Sequence, residues 1–526
     1  MQCAAALAVC AALGACGSEP PPGTIGSVEG FAGVAVADEP SAVLAARDVL
    51  AAGGSAADAA VALYFSLAVA MPSTAALGGG GVCIIHDGEK KTTEALDFLP
   101  RAAPEGKIAL PAAVRGMAAL QARYGKLRWE QDLAAAESMA RFGIPTSRAL
   151  ASELATVVAN LAADSEMARI FFRPDGTPLK EGDPLRQELL AGTLTQLRVR
   201  GAGEFYNGTL AHALVDGAQS LGAPLTIEAL RSVKPEFKPA IEVPLGDQTL
   251  YVAPPPAAGG VVLGELVAML TEAADFGDTQ PAELPHLIAE ATKRAYIDRA
   301  SWMQPFGDTS ADPAELVGED HARKLMESYD PKQATPVATL GTMAREPENP
   351  WATGFLTADR DGNVVACNVT MNNLFGAARM APGTGVLLAP APNERGAGYR
   401  SLGPAILASA HNGRVYFAGA ASGGETGPSA LAQVLLRVVL RDQSLVDAEA
   451  AARFHHDGDP DLVFHERNAT EAELSSLTQR GHALEPLEII GRVGALWCPK
   501  SLQSDPKTCQ AAADPRGFGL AVVQSE

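Results

Sequence analysis

A threonine at the start of a predicted β-hairpin is the residue in this sequence whose setting best allows chemistry. Thr353 follows a polar, helix-breaking connector, Glu346-Pro347-Glu348-Asn349-Pro350, which we predict to be exposed and open to cleavage. A cut before Thr353 would place a hydroxyl and a new α-amino group on one residue, and the amine could take the hydroxyl proton. Such a residue can act as a nucleophile without a separate histidine base.

Several other kinds of site are excluded by spacing. The sequence contains no phosphate-binding G-x-x-x-x-G-K-[ST] motif and no G-x-S-x-G nucleophile elbow, and Cys83 stands where a dinucleotide-binding fingerprint would need its third glycine. His455 and His456 are adjacent, so their side chains diverge on any regular element and we expect a structural role. With no C-x-x-C pair and no His/Cys cluster at zinc spacing, the sequence predicts no metal and no cofactor.

The composition of the 526-residue chain is typical of a folded protein, because 47% hydrophobic and 19% charged residues exclude a mainly disordered chain. Its 61 acidic and 41 basic side chains give a formal net charge of −20. Phosphates would be repelled by this charge, which argues against nucleic acid as a partner.

The N-terminal segment predicts export. Residues 1–15 carry no charged side chain and are too short to cross a bilayer as a stable helix, so we predict a signal peptide. The sequence Leu13-Gly14-Ala15-Cys16 is similar to a bacterial lipobox, in which the cysteine is lipidated, and residues 16–27 are predicted to form a flexible tether. We expect a periplasmic or outer-membrane-anchored lipoprotein that meets the membrane only through its lipid; an ordinary signal peptide is the alternative.

The cysteines fit an exported protein. Cys83 and Cys367 lie in apolar stretches and are expected to be buried thiols. Cys498 and Cys509 flank a short polar loop, where an oxidising compartment would allow a local disulfide.

The elements before residue 352 are predicted to be mainly helical. Residues 41–71 form the strongest helical stretch, broken at Gly53-Gly54, and its apolar second half is predicted to be a buried core helix. Residues 285–303 have helical apolar spacing, with a charged face that we expect to be solvated. That face comprises Glu290, Lys293, Arg294, Asp298 and Arg299. After residue 352 short strands follow, and Asp359-Arg360-Asp361-Gly362-Asn363 predicts a hairpin turn between residues 355–358 and 364–370.

Stretches spread from about Val34 to Gly519 resemble the γ-glutamyltranspeptidase family of N-terminal-nucleophile hydrolases. They are Ala35-Val36-Ala37-Asp38-Glu39-Pro40, the Gly53-Gly54-Ser55 region, Leu77 to Val82, Ala253 to Gly260, Arg453 to His456, and Asp514-Pro515-Arg516. The resemblance implies an α+β fold, a four-layer αββα sandwich. It also implies self-cleavage into a large-subunit region, 28–352, and a small-subunit region, 353–526, which share one core. The implied activity is acyl transfer from γ-glutamyl amides such as glutathione to water or to an amino-acid or peptide acceptor.

The resemblance also implies a mechanism and its residues. The Thr353 hydroxyl would attack the Ala352 carbonyl, the ester would hydrolyse, and the same hydroxyl would then attack the substrate amide. The hairpin turn predicts that Thr353 and Thr370 face each other or nearly so, and the resemblance gives Thr370 the role of orienting the nucleophile. Gly423 and Gly424 match the paired glycines of the family's oxyanion hole, where the lack of a Cβ lets backbone N–H groups approach.

Substrate contacts follow from the resemblance as well. Arg101 is the nearest guanidinium for an α-carboxylate, although it is displaced by about two positions from the family pattern, and Ser401 matches one of two serines expected there. Asn372 and Glu394 are implied contacts for the α-amino acid end of the substrate.

One departure from the family pattern leaves alternatives open. Counting back without a gap from the predicted turn places Ala352 at the nucleophile position, and a one-residue slip turns Thr353 to the other face of the strand. The alternatives to a self-cleaving γ-glutamyl hydrolase or transferase are a related acylase, similar to the cephalosporin acylases, and an uncut, inactive lipoprotein of the same fold.

Overall fold

The computed structural model describes residues 31–104, 106–341, 348, 350–393 and 398–524. The predicted signal peptide, Cys16 and the predicted tether lie outside these residues, and so does Glu394. In the part of the chain that the structure describes, no helix has the length and apolarity needed to cross a membrane.

Twenty strands are present among the described residues: β1 (Gly33–Ala37), β2 (Gly80–Asp87), β3 (Thr92–Phe98), β4 (Ile144–Pro145), β5 (Pro184–Leu185), β6 (Glu236–Pro239), β7 (Ile241–Leu245), β8 (Gln248–Val252), β9 (Thr353–Asp359), β10 (Val364–Thr370), β11 (Met380–Ala381), β12 (Val386–Leu387), β13 (Ala405–Ser409), β14 (Val415–Ser422), β15 (Phe454–His455), β16 (Val463–Glu466), β17 (Leu484–Leu487), β18 (Arg492–Trp497), β19 (Gln510–Ala512) and β20 (Leu520–Gln524).

The α-helices over the same residues are α1 (Pro40–Ala51), α2 (Ala56–Ala70), α3 (Ala113–Tyr124), α4 (Trp129–Asp132), α5 (Ala134–Phe142), α6 (Arg148–Leu154), α7 (Val158–Ala162), α8 (Ser165–Phe171), α9 (Glu188–Arg200), α10 (Glu204–Asn207), α11 (Thr209–Ser220), α12 (Ile227–Ser232), α13 (Gly259–Ala268), α14 (Leu284–Trp302), α15 (Pro313–Leu316), α16 (Glu319–Met326), α17 (Val337–Leu340), α18 (Thr426–Leu440), α19 (Leu445–Ala450) and α20 (Glu471–Gln479).

Two antiparallel sheets form the centre of the molecule. The first has the strand order β20-β1-β9-β10-β2-β3-β6, and the second has the order β19-β18-β14-β13-β8-β7. Strands from before and after residue 353 are interleaved in the first sheet, so neither part of the chain could complete that sheet alone. This arrangement is what places the start of β9 at the middle of the molecule.

Three hydrophobic layers hold the sheets and helices together. Val34, Leu356 and Ile406 belong to a cluster between the two sheets. On the outer face of the first sheet, a second cluster joins it to α1, α2 and their neighbours, and on the outer face of the second sheet a third joins it to α13, α14 and α18. Helix, sheet, sheet and helix are therefore stacked in that order, as a four-layer αββα sandwich.

The predicted core helix is confirmed. Every residue of α2 is buried, and the helix begins with a capping box in which Ser55 and Asp58 satisfy each other's backbone N–H groups. The Asp58 carboxylate also accepts N–H groups of Lys126 and Leu127, which explains how a charged residue is accommodated in an otherwise apolar buried helix.

The expectation of a solvated charged face on α14 is wrong. Glu290, Lys293 and Arg294 are at most 2% exposed, because Glu290 forms ion pairs with both cations one helical turn away. These ion pairs hold the pKa of Glu290 down at about 2, although burial alone would raise it. Arg299 is buried too, and its partner is described with the site below.

The expectation that Cys83 and Cys367 are thiols is also wrong. They lie directly opposite each other on β2 and β10 and form a disulfide, and Cys498 forms a second one with Cys509. Such bonds persist in oxidising compartments, which supports the predicted export. The lipid anchor stays a prediction.

Candidate active site

Side chains at the start of β9 alternate between the two faces of the first sheet. Phe355 belongs to the hydrophobic cluster under the outer helices, whereas Leu356 belongs to the cluster between the sheets. Gly354 faces the second sheet closely, since a Cβ added there would lie 2.9 Å from the Ala420 Cβ. A side chain at position 352 therefore points between the sheets, and Thr353 points toward the outer helices.

Thr353 accordingly makes its contact away from the inter-sheet layer. It is fully buried, and its hydroxyl donates a hydrogen bond to the Asp38 Oδ2 at 2.7 Å. Burial raises the pKa of Asp38 from its usual value, and the hydrogen bond from Thr353 opposes that rise. Ala352 packs against the inter-sheet cluster instead.

The expected pairing of Thr353 with Thr370 is wrong by one residue. The turn closes tightly, with the Asp359 N–H donating to the Asn363 carbonyl at 3.0 Å, and the resulting register places Thr353 opposite Val369. Continued by one residue, the same register brings Ala352 opposite Thr370. Because adjacent side chains of a strand point to opposite faces, Thr353 and Thr370 do not face each other.

Thr370 and Asn372 lie on the strand end next to this position. The Thr370 hydroxyl donates to the Trp351 carbonyl at 3.0 Å and accepts the Asn372 N–H at 3.0 Å. The Asn372 amide donates to the carbonyls of Pro100 and Pro390, and its Oδ1 has no hydrogen-bond partner among the described residues. Thr370 thus contacts residue 351 rather than Thr353, and the predicted roles of Thr370 and Asn372 stay predictions.

A small pocket opens at Ala352 between the sheets. Its volume is about 20 Å³, enough for one or two waters. Gly423 and Gly424 border it at the turn from β14 into α18, with φ of 123° and 60°, values that favour glycine. The lining residues are Glu348, Trp351, Ala352, Gly398, Tyr399, Arg400, Ser401, Leu402, Ala421, Ser422, Gly423 and Gly424.

The pocket is closed on one side by a carboxylate of the protein's own connector. Glu348 is held by short contacts with the Arg299 guanidinium and the Ser401 hydroxyl, and the Arg400 Nε lies 3.7 Å away. Ser401 therefore contacts a carboxylate of the chain itself, and its predicted contact with a substrate stays a prediction. Arg101, the other predicted carboxylate ligand, instead forms a bidentate ion pair with Asp97.

A family model described as gamma-glutamyltranspeptidase matches residues 42–523. The chain belongs to this family. Membership confirms the predicted class of enzyme, and the αββα fold confirms the predicted fold class of the N-terminal-nucleophile hydrolases.

Named relatives of this γ-glutamyltranspeptidase-family chain include a hydrolase and an acylase. The glutathione hydrolase proenzyme of Escherichia coli (strain K12) is 27% identical over 496 residues, which cover 84% of each chain. The acylase ACY 1 proenzyme of Pseudomonas sp. (strain V22) is 29% identical over 507 residues, covering 86% of this chain and 87% of the relative. The crystal structure of cephalosporin acylase from Bacillus halodurans superposes with a TM-score of 0.78 at 22% identity, covering 96% of this chain and 98% of the other, which shows a common fold.

Sequence reasoning missed the contacts that three residues make in the candidate site: Asp38, Arg299 and Glu348. Asp38 lies in a stretch that carries the family resemblance, and its position just after β1 was a signal that it would meet β9. Arg299 and Glu348 are 49 residues apart and gave no local signal.

The hydrogen bond from Thr353 to Asp38 predicts an effect on the free energy of unfolding. Thr353→Val keeps the shape of the side chain but removes the donor to Asp38, so the free energy of unfolding should fall by about 1 kcal/mol. Urea unfolding of this variant beside the wild-type protein checks the effect, and a Thr353→Val protein as stable as the wild type would contradict the assigned contact.

Proposed function

We propose that this γ-glutamyltranspeptidase-family protein recognises the acyl part of a γ-glutamyl or related amide in the pocket at Ala352, and that its chain stays uncut. The observation that carries the proposal is that Ala352, rather than Thr353, borders the pocket with Gly423 and Gly424. A methyl group has no proton to give up and no lone pair with which to attack a carbonyl. The chain therefore keeps the surroundings of a nucleophile at a position that holds none.

The way in which Glu348 is bound supports a ligand that carries a carboxylate. A carboxylate held by a guanidinium and a hydroxyl, with a second guanidinium nearby, is a strong arrangement for a ligand carboxylate. Glutamyl and glutaryl groups both carry a carboxylate beyond the acyl carbonyl. The proposed ligand is therefore an amide of a dicarboxylic acyl group, which covers glutathione-like compounds and the substrates of a related acylase.

A second candidate is the self-cleaving threonine acyl-enzyme, and the hydrogen bond between Thr353 and Asp38 favours it. A desolvated carboxylate with a raised pKa is a base placed on the Thr353 hydroxyl. The hydroxyl would add to the Ala352 carbonyl and break the amide, and water would hydrolyse the ester to leave a free Thr353 amine. The first residue of β9 would then have to turn over toward Gly423 and Gly424 before Thr353 could take up the acyl group of a substrate and pass it to water or an amine.

Reducing, denaturing electrophoresis separates the two candidates. We expect a single chain from the purified wild-type protein, because neither side chain that meets the pocket at positions 351 and 352 supplies a hydroxyl. Fragments that meet between residues 352 and 353, identified by N-terminal sequencing of the smaller one, would contradict the uncut chain and support Thr353 as the nucleophile. Thr353→Ala should then abolish the cut.

Restoring a hydroxyl at position 352 should restore self-cleavage. In Ala352→Thr the new hydroxyl would lie beside Thr370 and the two glycines, and we expect a cut that leaves the introduced threonine as a new N-terminus. Ala352→Val has the same shape without the hydroxyl and should stay uncut. Equal behaviour of the two variants, each with a wild-type circular dichroism spectrum, would contradict the assignment of this pocket as the family's catalytic position.

Removing the internal carboxylate should open the pocket to ligands. We expect Glu348→Ala to bind a γ-glutamyl or glutaryl anilide roughly tenfold more tightly than wild type, since about 1.4 kcal/mol of competition corresponds to that factor. Calorimetric titration measures the affinity, and the preferred anilide distinguishes glutathione-like from acylase-like recognition. Glu346→Ala, in the same connector, is the control; an equal gain in both variants would contradict a specific role for Glu348.

A further inference from the structure

Three side chains from three helices meet in the helical layer that packs on the second sheet. They are Glu265 on α13, Asp298 on α14 and His321 on α16, and one ligand atom from each lies within 4.8 Å of the others. The His321 Nε2 is 2.8 Å from the Asp298 Oδ2. Because the residues are far apart in sequence, no spacing motif could have indicated the cluster.

Glu265 is the unusual member of this cluster. It is 1% exposed, and neither of its carboxylate oxygens has a hydrogen-bond partner among the described residues. The polar groups that act on it include the Asp298 carboxylate, the Trp302 indole and the Arg299 guanidinium. Arg299 is engaged with Glu348, and the Trp302 N–H has no hydrogen-bond partner within the described part of the chain. A buried carboxylate without a hydrogen-bond partner is costly. A cation placed between Glu265, Asp298 and His321 would remove that cost.

A second cluster in the same layer provides a comparison. His286, Glu290 and His482 also have ligand atoms within 4.8 Å of one another. There, however, Glu290 already pairs with Lys293 at 2.6 Å and with Arg294. Two resident cations would repel a metal ion, so this second cluster is explained without one.

We propose that Glu265, Asp298 and His321 bind one divalent transition-metal ion of the Zn²⁺ type. One imidazole and two carboxylates are a donor set that suits Zn²⁺, Mn²⁺ or Co²⁺, whereas Ca²⁺ and Mg²⁺ prefer oxygen ligands alone. Asp298 also lines a cavity of about 550 Å³ together with Ser301 and Ser328, which gives an ion a route to the cluster. The ion would join α13, α14 and α16.

The site can be tested on the full chain without an affinity tag. After dialysis against a chelator, titration of the protein with Zn²⁺ should give one tight site per chain and raise the melting temperature by a few degrees. Co²⁺ should give visible absorption bands from the same site. Glu265→Gln, which conserves volume, and His321→Asn should each weaken Zn²⁺ binding by roughly 100-fold or more, since loss of an outer partner alone costs about 10- to 100-fold.

Two matched controls separate this site from adventitious binding. His212→Asn removes an exposed histidine on α11, and His482→Asn removes a member of the second cluster; both should bind Zn²⁺ like wild type. The proposal is overturned if the folded wild-type chain binds no stoichiometric ion, if Glu265→Gln binds with unchanged affinity, or if His482→Asn is the variant that loses binding. Should His321→Asn fail to fold, Glu265→Gln and its Co²⁺ spectrum decide the question.

Discussion

The pairing of β9 with β1 on one side and β10 on the other is the constraint on which the candidate site depends. A strand with two partners cannot slide without breaking both ladders, and the tight turn after Asp359 fixes the register further. Phe355 fills the outer core and Leu356 the inner one, so a shift by one residue would exchange buried clusters on both faces of the sheet. The faces of the sheet to which the side chains of residues 352 and 353 point are therefore set by packing several residues away.

The same constraint explains why the pocket is bordered by the Ala352 methyl group and not by the Thr353 hydroxyl. Gly423 and Gly424, Thr370 and Asn372 depend on β14, β10 and the turns that follow them, and each of these elements is held independently of what side chain stands at position 352. The surroundings of position 352 therefore do not depend on the side chain that stands there. If the chain stays uncut, as proposed, the connector that carries Glu348 remains tethered at the pocket, and its carboxylate has a high local concentration there.

Much of the fold could be predicted from the sequence. The apolar run of α2 and the turn residues after β9 act through local preferences, and both elements formed as expected. The charged residues of α14 could not be placed, since helical periodicity does not reveal that Glu290 meets Lys293 and Arg294 inside the protein rather than in water. The partners of Glu348, and the meeting of Glu265 with Asp298 and His321, come from distant parts of the chain, where no spacing rule applies.

The sequence pointed to residues that lie near the candidate site, but it did not predict the direction in which the Thr353 side chain points. Gly423, Gly424 and Ser401 line the pocket at Ala352, whereas the resemblance assigns Gly423 and Gly424 to a site around Thr353; their predicted roles stay predictions. The orientation of Thr353 required the register, and counting residues around a turn leaves an uncertainty of one position, which is the difference between the two faces of a strand.

The disulfide between Cys83 and Cys367 has a consequence for any variant of this chain in which the backbone opens near residue 353. One sulfur lies on each side of that point, so the part from residue 353 onward would stay covalently attached to the part before it. Dissociation into free subunits would then require a reductant as well as a peptide-bond break, and in an oxidising compartment the two pieces would diffuse, sediment and unfold as a single molecule.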